Sequence, residues 1–296
     1  MIAQQLVNGI VTGSVYALFA LGFTLVFGTF KILNLAHAGV FMSGAFIGYF
    51  AVLNGLPLWL ALILAMVGAG LVSYLVEVTA FATIRGRGQI EFGALISSIG
   101  ANLCLMSVAQ RLSDTKVLRF PFGTFPVEFY ELGPVRFSFL QIIILVMVIF
   151  LLVVMMLYLY KTTFGRQIRA VSGNERVASL LGVNPALVYF QTFFISGALA
   201  GVAGILIGLS FNSIHFYMGE PYLLKAFVVV VLGGLGSVHG AVVAGMLLGI
   251  FQNLAVAYLP RALTETIIYS LLFLVLLVKP SGLFGSEGVQ VGVARR

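Results

Sequence analysis

The sequence predicts an all-α polytopic transmembrane bundle of about eight or nine spans, some of them short or broken, and three observations predict it. Of the 296 residues, 61% are apolar and only 8% charged, whereas soluble domains carry about 25% charged residues. Mean hydropathy is +1.13. Apolar runs of about 20 residues recur along the chain, the length a helix needs to cross a hydrocarbon core.

Taken in order, the runs place span 1 over Gln4–Phe27 and span 2 over Ala36–Val52, with Lys31 and Asn34 in the short join. Span 3 covers Leu58–Thr83 and ends at Arg85-Gly86-Arg87; span 4 covers Phe92–Ala109. The segment Gln110–Phe137, with four basic and three acidic residues plus Pro121, Pro126 and Pro134, reads as an external loop with some local structure. Span 5 covers Ser138–Tyr160 and span 6 Ala186–Leu209. Span 7, Leu223–Leu232, is too short to cross unaided and breaks at Gly233-Gly234-Leu235-Gly236. Span 8 covers Ala241–Tyr258, span 9 Leu263–Val278, and a polar tail ends in Arg295-Arg296. The whole chain, 1–296, reads as one membrane domain. With no basic stretch and no small-residue cleavage site before the first run, span 1 is expected to stay uncleaved.

A net charge of +7 in a soluble chain would suggest nucleic acid, but here the basic residues are scattered over short loops, which is the positive-inside pattern and implies no nucleic-acid partner. With Lys161–Pro185 on the cytoplasmic side, alternation puts Lys31, Arg85, Arg87, Lys161, Arg166, Arg169, Arg176, Lys279, Arg295 and Arg296 inside. Arg111, Lys116, Arg119, Arg136, Lys225 and Arg261 fall outside. Ten against six favours an outside N-terminus and an inside C-terminus. A re-entrant span 7 would lower the count to eight and flip the tail. The single cysteine, Cys104, excludes an intrachain disulfide.

The stretch Lys161–Pro185 is the one long polar interruption that reads as ordered structure. Asn174 is a helix N-cap, Glu175 puts an acid in the first turn, and Gly182 is the stop. Val177, Ala178 and Leu181 share one face, and Asn184-Pro185 caps and starts the next helix. A capped amphipathic helix between two spans reads as a docking element for a soluble partner, with the charge of Arg169 facing that partner.

Two helix breaks each carry a histidine. In Phe30–Gly44, Asn34 is placed to cap span 2 by accepting from the N–H of Ala36 or His37, and Gly39, Ser43 and Gly44 offer a small face. In Leu232–Gly249, four glycines and Ser237 break the chain before His239, and Gly240, Ala244 and Gly249 repeat the small face. Paired interruptions of this kind point to a translocation path or gate, with Asn34, His37, Ser237 and His239 as candidates; tight helix packing explains the same glycines. Glu77 joins the candidates as the acid well inside an apolar run, with an ion pair to Arg85 or Arg87 as the alternative. Arg261 and Glu265 are spaced for an i,i+4 pair at the outer end of span 9.

Enzyme chemistry is missing from the sequence: it has no Gly-x-x-x-x-Gly-Lys-Ser/Thr loop, no His/Cys metal spacing and no nucleophile elbow. No catalytic, cofactor-binding or metal-ligating residue is therefore assigned, and energy must come from another subunit or an ion gradient. An ion-coupled transporter would rest on Glu77 alone. A passive channel of the aquaporin kind is suggested by Asn184-Pro185-Ala186 and a degenerate Asn34-Leu35-Ala36. However, no arginine follows the tripeptide within the next few residues, and nine spans are too many.

Several segments together resemble one family, the permease subunits of branched-chain amino acid ABC importers of the LivH type. They are Asn8-Gly9-Ile10, Gly13-Ser14-Val15-Tyr16-Ala17-Leu18, Asn34-Leu35-Ala36-His37, and Glu77 with Arg85-Gly86-Arg87. Gly165-Arg166, Arg169-Ala170, Asn174, Ala178, Gly182-Val183 and Val231-Leu232-Gly233-Gly234 followed by Gly236-Ser237 and Gly240 complete the set. The resemblance implies a multi-pass protein of a bacterial-type inner membrane that pairs with a second permease, the same or related. Two cytoplasmic ABC ATPases that use the ATP, and an external solute-binding protein that delivers amino acid, would complete the importer. It also implies that the cytoplasmic loop engages an ATPase through Gly165, Arg166, Arg169, Asn174, Glu175, Arg176, Ala178, Leu181 and Gly182. Two departures bear on the solute: family members commonly show Ala-His-Gly-Glu where His37 is followed by Ala38-Gly39-Val40, and Arg-Pro-Leu-Arg where this chain has Arg85-Gly86-Arg87. Relatives of this type also serve urea, short amides and other amino acids.

Overall fold

Two nearly buried helices organise the bundle. They are α1 (Ile2–Phe30) and α8 (Pro185–Phe211), both rich in glycine, alanine and small polar residues along their length. The computed structural model describes residues 2–85, 90–124, 128–132, 135–279 and 282–284. Around the pair lie α2 (His37–Leu53), α3 (Leu58–Val76) continued by a π-helical turn (Glu77–Phe81), and α4 (Ile90–Ser113). A hairpin of β1 (Phe129–Leu132) and β2 (Val135–Ser138) leads into α5 (Phe139–Lys161). Two short helices follow, α6 (Thr163–Gly173) and α7 (Glu175–Leu180). After α8 come α9 (Glu220–Gly233), α10 (Val238–Tyr258) and α11 (Arg261–Val278).

Lipid offers no hydrophobic drive for helices to associate, so close backbone approach through small residues does that work. α10 runs antiparallel to α1, and a Cβ on Gly13 would come within 2.9 Å of the Gly245 carbonyl and of Met246. α2 runs parallel to α8, with Gly44 seated on the backbone of Gly201. The small faces of spans 2 and 8 are thus helix seams. α4 and α5 instead turn most of their apolar surface outward, as lipid-facing helices do.

One end of the bundle gathers the N-terminus of α1, the hairpin and the loops after α4 and α8. Gln4 clamps the hairpin by donating to the Arg136 carbonyl and accepting from its N–H, both at 2.8 Å. Leu118 and Ile214 form an isolated antiparallel bridge. The other end gathers the C-terminus of α1, α6, α7 and the break between α9 and α10. Among the described residues the chain passes between these ends nine times, through α1 to α5 and α8 to α11. Six of those helices are long and apolar enough to cross a membrane by themselves.

Span 7 is where pattern and fold diverge most. The helix starts at Glu220 instead of Leu223 and has 14 residues, about 21 Å. Its first turn lies mid-bundle, where Gly219 sits against the backbone of Ala38 and Asn102 donates to Glu220. Residues 212–219 descend to that point from the end that holds the hairpin, so loop and half-helix together make one crossing. Lys225, counted among the outer basic residues although it falls within the expected span 7, is inside α9 and only 8% exposed. Helix α4 runs one turn past the expected Ala109, and the Gln110–Phe137 segment contains the hairpin. Gly86, Arg87, Pro126, Pro134, Arg295, Arg296 and the side chain of Arg261 lie outside the described residues.

Candidate functional site

The sequence candidates fall at three places. At the first break, α1 ends on Lys31 in the left-handed region (φ 59°) and the chain turns back into the bundle. Ile32, Asn34 and Ala36 are buried, and α2 begins at His37 with no exposure at all. The His37 ring stacks on Phe19 with centroids 4.6 Å apart, and its Nε2 lies 3.2 Å from the Phe19 carbonyl. Phe19 is eleven residues from the end of α1, about 16 Å along its axis. His37 is therefore a mid-bundle residue and not the interfacial one its position after a short loop implies. The expected Asn34 cap does not form: the backbone carbonyl of Asn34 accepts from the His37 N–H at 3.3 Å. Its side-chain amide is buried with no protein partner among the described residues. Serving this re-entry instead is Ser98 of α4, whose Oγ accepts from the Leu35 N–H at 3.2 Å.

At the end of the bundle that holds α6 and α7, Glu77 opens the π-helical turn and forms an ion pair with Arg85. The Arg85 guanidinium lies 3.2 Å over the Tyr189 ring, and the Tyr189 hydroxyl donates to Glu175 at 3.1 Å. Phe30 stacks on the other partner surface of Tyr189 with centroids 4.0 Å apart. A continuous set of contacts thus joins α7, α8, the end of α1 and the π-turn of α3. Of the two partners expected for a Glu77 ion pair, Arg85 is the one found, and Arg87 lies outside the described residues.

The second break is exposed. Gly234 and Gly236 take φ of 97° and 86°, which suit glycine, and Ser237 caps α10 by accepting from the Gly240 N–H at 3.1 Å. The last carbonyls of α9 are met by the tail, with Leu283 N–H donating to Leu232 at 2.7 Å and Phe284 N–H to Gly233 at 3.3 Å. His239 is exposed, with Nδ1 3.4 Å from the Tyr160 hydroxyl. Asn34 and His37 therefore share a neighbourhood that Ser237 and His239 do not enter.

Lys161–Pro185 folds as the two helices α6 and α7. Thr162 caps α6 by accepting from the Gly165 N–H at 3.1 Å, and Gly165 sits so close to the last turn of α5 that a side chain there would collide with its carbonyls. Asn174 caps α7 by accepting from the Val177 N–H at 3.0 Å, Gly182 has φ 87°, and Asn184 accepts from the Ala186 N–H at 3.0 Å. The shared face divides: Ala178 is buried, whereas Val177 is half exposed and Leu180 and Leu181 are 82% and 80% exposed. Arg169 is exposed, and its guanidinium donates to the Leu159 carbonyl and lies 5.5 Å from the Tyr160 ring, which ties α6 to α5. Arg166 on α6 and Arg176 on α7 are exposed as well.

Sequence patterns missed Ser98, Tyr189 and Lys225, which act across the bundle and carry no local signature. Leu180, next to the predicted Leu181, was legible as part of the helix but not as its most exposed residue.

The family model described as branched-chain amino acid transport system / permease component matches residues 5–277. The chain is 32% identical over 299 residues to the high-affinity branched-chain amino acid transport system permease protein BraD of Pseudomonas aeruginosa, covering 97% of each chain. It is 32% identical over 299 residues to the corresponding protein LivH of Escherichia coli (strain K12), covering 97% of this chain and 96% of that one. A probable branched-chain amino acid transport permease protein LivH of Methanocaldococcus jannaschii is 28% identical over 298 residues, covering 95% of this chain and 91% of the relative.

Proposed function

The chain belongs to the family of branched-chain amino acid transport system permease components, and from that premise we propose that it forms the membrane path of an ATP-driven importer for branched-chain amino acids. It is a multi-pass protein of the inner membrane, acting within a transporter complex. A second permease, the same or related, would complete the path, an external binding protein would deliver the amino acid, and two cytoplasmic ATPases would supply the work. No catalytic group is asked of this chain, and ATP is a cofactor of its partners only.

The observation that carries the ATPase contact is the outward face of α7. Two adjacent leucines more than three-quarters exposed on a capped helix, flanked by Arg166 and Arg176, make an apolar centre with a polar rim, the anatomy of a protein contact. Gly165, Asn174 and Gly182 shape this limb, Ala178 seats it, and Glu175 ties it to Tyr189. Closure of the ATPase pair would push α7, and the Glu175–Tyr189–Arg85–Glu77 contacts would pass that displacement to α8 and α3. A domain-scale rock between outward- and inward-open states is the kind of two-state element such coupling requires. Because Glu77 is held by Arg85, it gives an ion-coupled mechanism little support.

The test is a single cysteine in place of Leu180 after Cys104→Ser. It should be alkylated from the cytoplasmic side only, and co-assembly with the ATPases should shield it. Alkylation from outside, or indifference to the ATPases, sinks the importer reading. In the same complex Leu181→Asp should leave the protein in the membrane and lower ATPase retention by about tenfold or more, the loss expected for a buried contact residue.

A further inference from the structure

At the end of the bundle that holds α6 and α7, a cavity of about 120 Å³ lies between α1, α5, α6 and the turn before α10. It is well below the range of sites that enclose a whole small molecule, about 300–1,000 Å³, and has room for a group the size of a phosphate. Arg169 of α6 and Thr24 of α1 line it, together with Tyr160, Ser172 and Gly236. Thr24 is 1% exposed, and its Oγ1 has no protein partner among the described residues. A hydroxyl buried in that way calls for a partner from outside the chain. Arg169 gives an N–H to the Leu159 carbonyl, which leaves most of its five donors, and no carboxylate pairs with it among the described residues. Lys161, exposed and next to Tyr160 in the chain, adds a second cation, and no acid occurs in the sequence between Glu131 and Glu175. Donors and positive charge without a compensating acid suit an anion.

The surface that leads away from the cavity indicates what carries the anion. Tyr160 lines the cavity and also begins a stripe along α5 made of Tyr160, Leu157, Val153, Phe150 and Val146, each between 46% and 62% exposed. Spaced by three and four residues, they share one face of the helix. Fourteen residues of helix extend about 21 Å, enough to cross one leaflet of a hydrocarbon core about 30 Å thick. Basic side chains at the end of a membrane helix attract anionic headgroups. We propose that this cavity holds the phosphate of an anionic glycerophospholipid of the surrounding bilayer, with an acyl chain lying along the α5 stripe. Arg169 takes the phosphate oxygens, the Thr24 hydroxyl donates from the cavity wall, and Lys161 adds charge beside them. A lipid held there bridges α1, α5 and α6, and so steadies the base of the limb that α6 and α7 form.

The test needs no transport and uses the full chain in phosphatidylcholine vesicles. Trp59 is the chain's single tryptophan, so Val153→Trp combined with Trp59→Phe places one indole on the stripe, about 10 Å along α5 from Tyr160. Dibrominated phosphatidylglycerol should quench that indole with about fivefold higher relative affinity than dibrominated phosphatidylcholine, the preference that one cation near a headgroup confers. Arg169→Gln should bring the ratio to about one, and Arg169→Lys should keep part of it. Because Arg169 also ties α6 to α5, Thr24→Val is the second variant: it leaves that tie alone and should lower the ratio by about twofold. Trp59 of the otherwise unaltered chain, 62% exposed in the first turn of α3, should show no such preference. A ratio of one at the α5 indole, or a preference that survives both Arg169→Gln and Thr24→Val, overturns the site. So does an equal preference at Trp59, which would make the effect a property of the whole surface. Excess inorganic phosphate should leave the ratio unchanged; if it abolishes the preference, the cavity takes a free anion and the lipid assignment fails.

Discussion

The two histidine-bearing breaks look alike in sequence and are opposites in the fold. At Phe30–His37 the chain turns into the bundle, and His37 ends up with no exposure, stacked on Phe19. At Gly233–His239 it turns at the end of the bundle that holds α6 and α7, and His239 is exposed beside Tyr160. The difference follows from how each break satisfies its backbone. The second does so locally, with glycines at positive φ, the Ser237 cap and the tail at Leu283 and Phe284. The first has no glycine between Lys31 and His37 and borrows Ser98 from α4. A break that completes itself can stay at the surface. One that depends on a distant helix is built only when the bundle closes around it.

Three substitutions break or sharpen this contrast. The largest effect is expected of His37→Glu, which puts a carboxylate against Phe19 and Phe23 with no cation at hand. A loss of several kcal/mol, seen as failure to recover monodisperse protein from the membrane, is the expected result; normal recovery would mean the site is wet and the burial argument wrong. Ser98→Ala should cost about 1 kcal/mol, because the half-buried Leu35 N–H loses its acceptor, and a lowered thermal midpoint in detergent would register it. Smallest of all, His239→Ala should change stability by no more than about 0.5 kcal/mol. A midpoint shift for His239→Ala as large as that of Ser98→Ala would erase the distinction between the breaks.

The limb formed by α6 and α7 shows how far local signals reach. Asn174, Gly182 and Asn184-Pro185 were readable because a cap or a stop is chemistry between a side chain and backbone two or three residues away. The helix before them, α6, and the role of Arg169 were not, because both depend on the sharp turn at Thr162 that lays Gly165 against the end of α5. Once that turn is made, Arg169 reaches the Leu159 carbonyl, a contact that no local pattern announces. Charge counting failed at Lys225 for a related reason. It treats every basic residue as a loop residue, and a lysine one turn into a half-helix violates that assumption.

By itself the sequence determined that the chain lives in a membrane as helices, where most of them begin and end, and where a small capped helix interrupts them. Those properties depend on transfer of whole segments out of water and on hydrogen bonds within a turn or two, and both are written in contiguous residues. The tertiary structure alone decided that span 7 is a half-helix completed by a descending loop and that His37 is buried while His239 is not. It also decided that Tyr189 links α7 to the Glu77–Arg85 pair, and that Thr24, Tyr160 and Arg169 share one cavity. Each of these joins groups from helices far apart in the chain, and which helices meet is set by how small residues along α1 and α8 let their backbones close together, a packing choice that no single segment specifies.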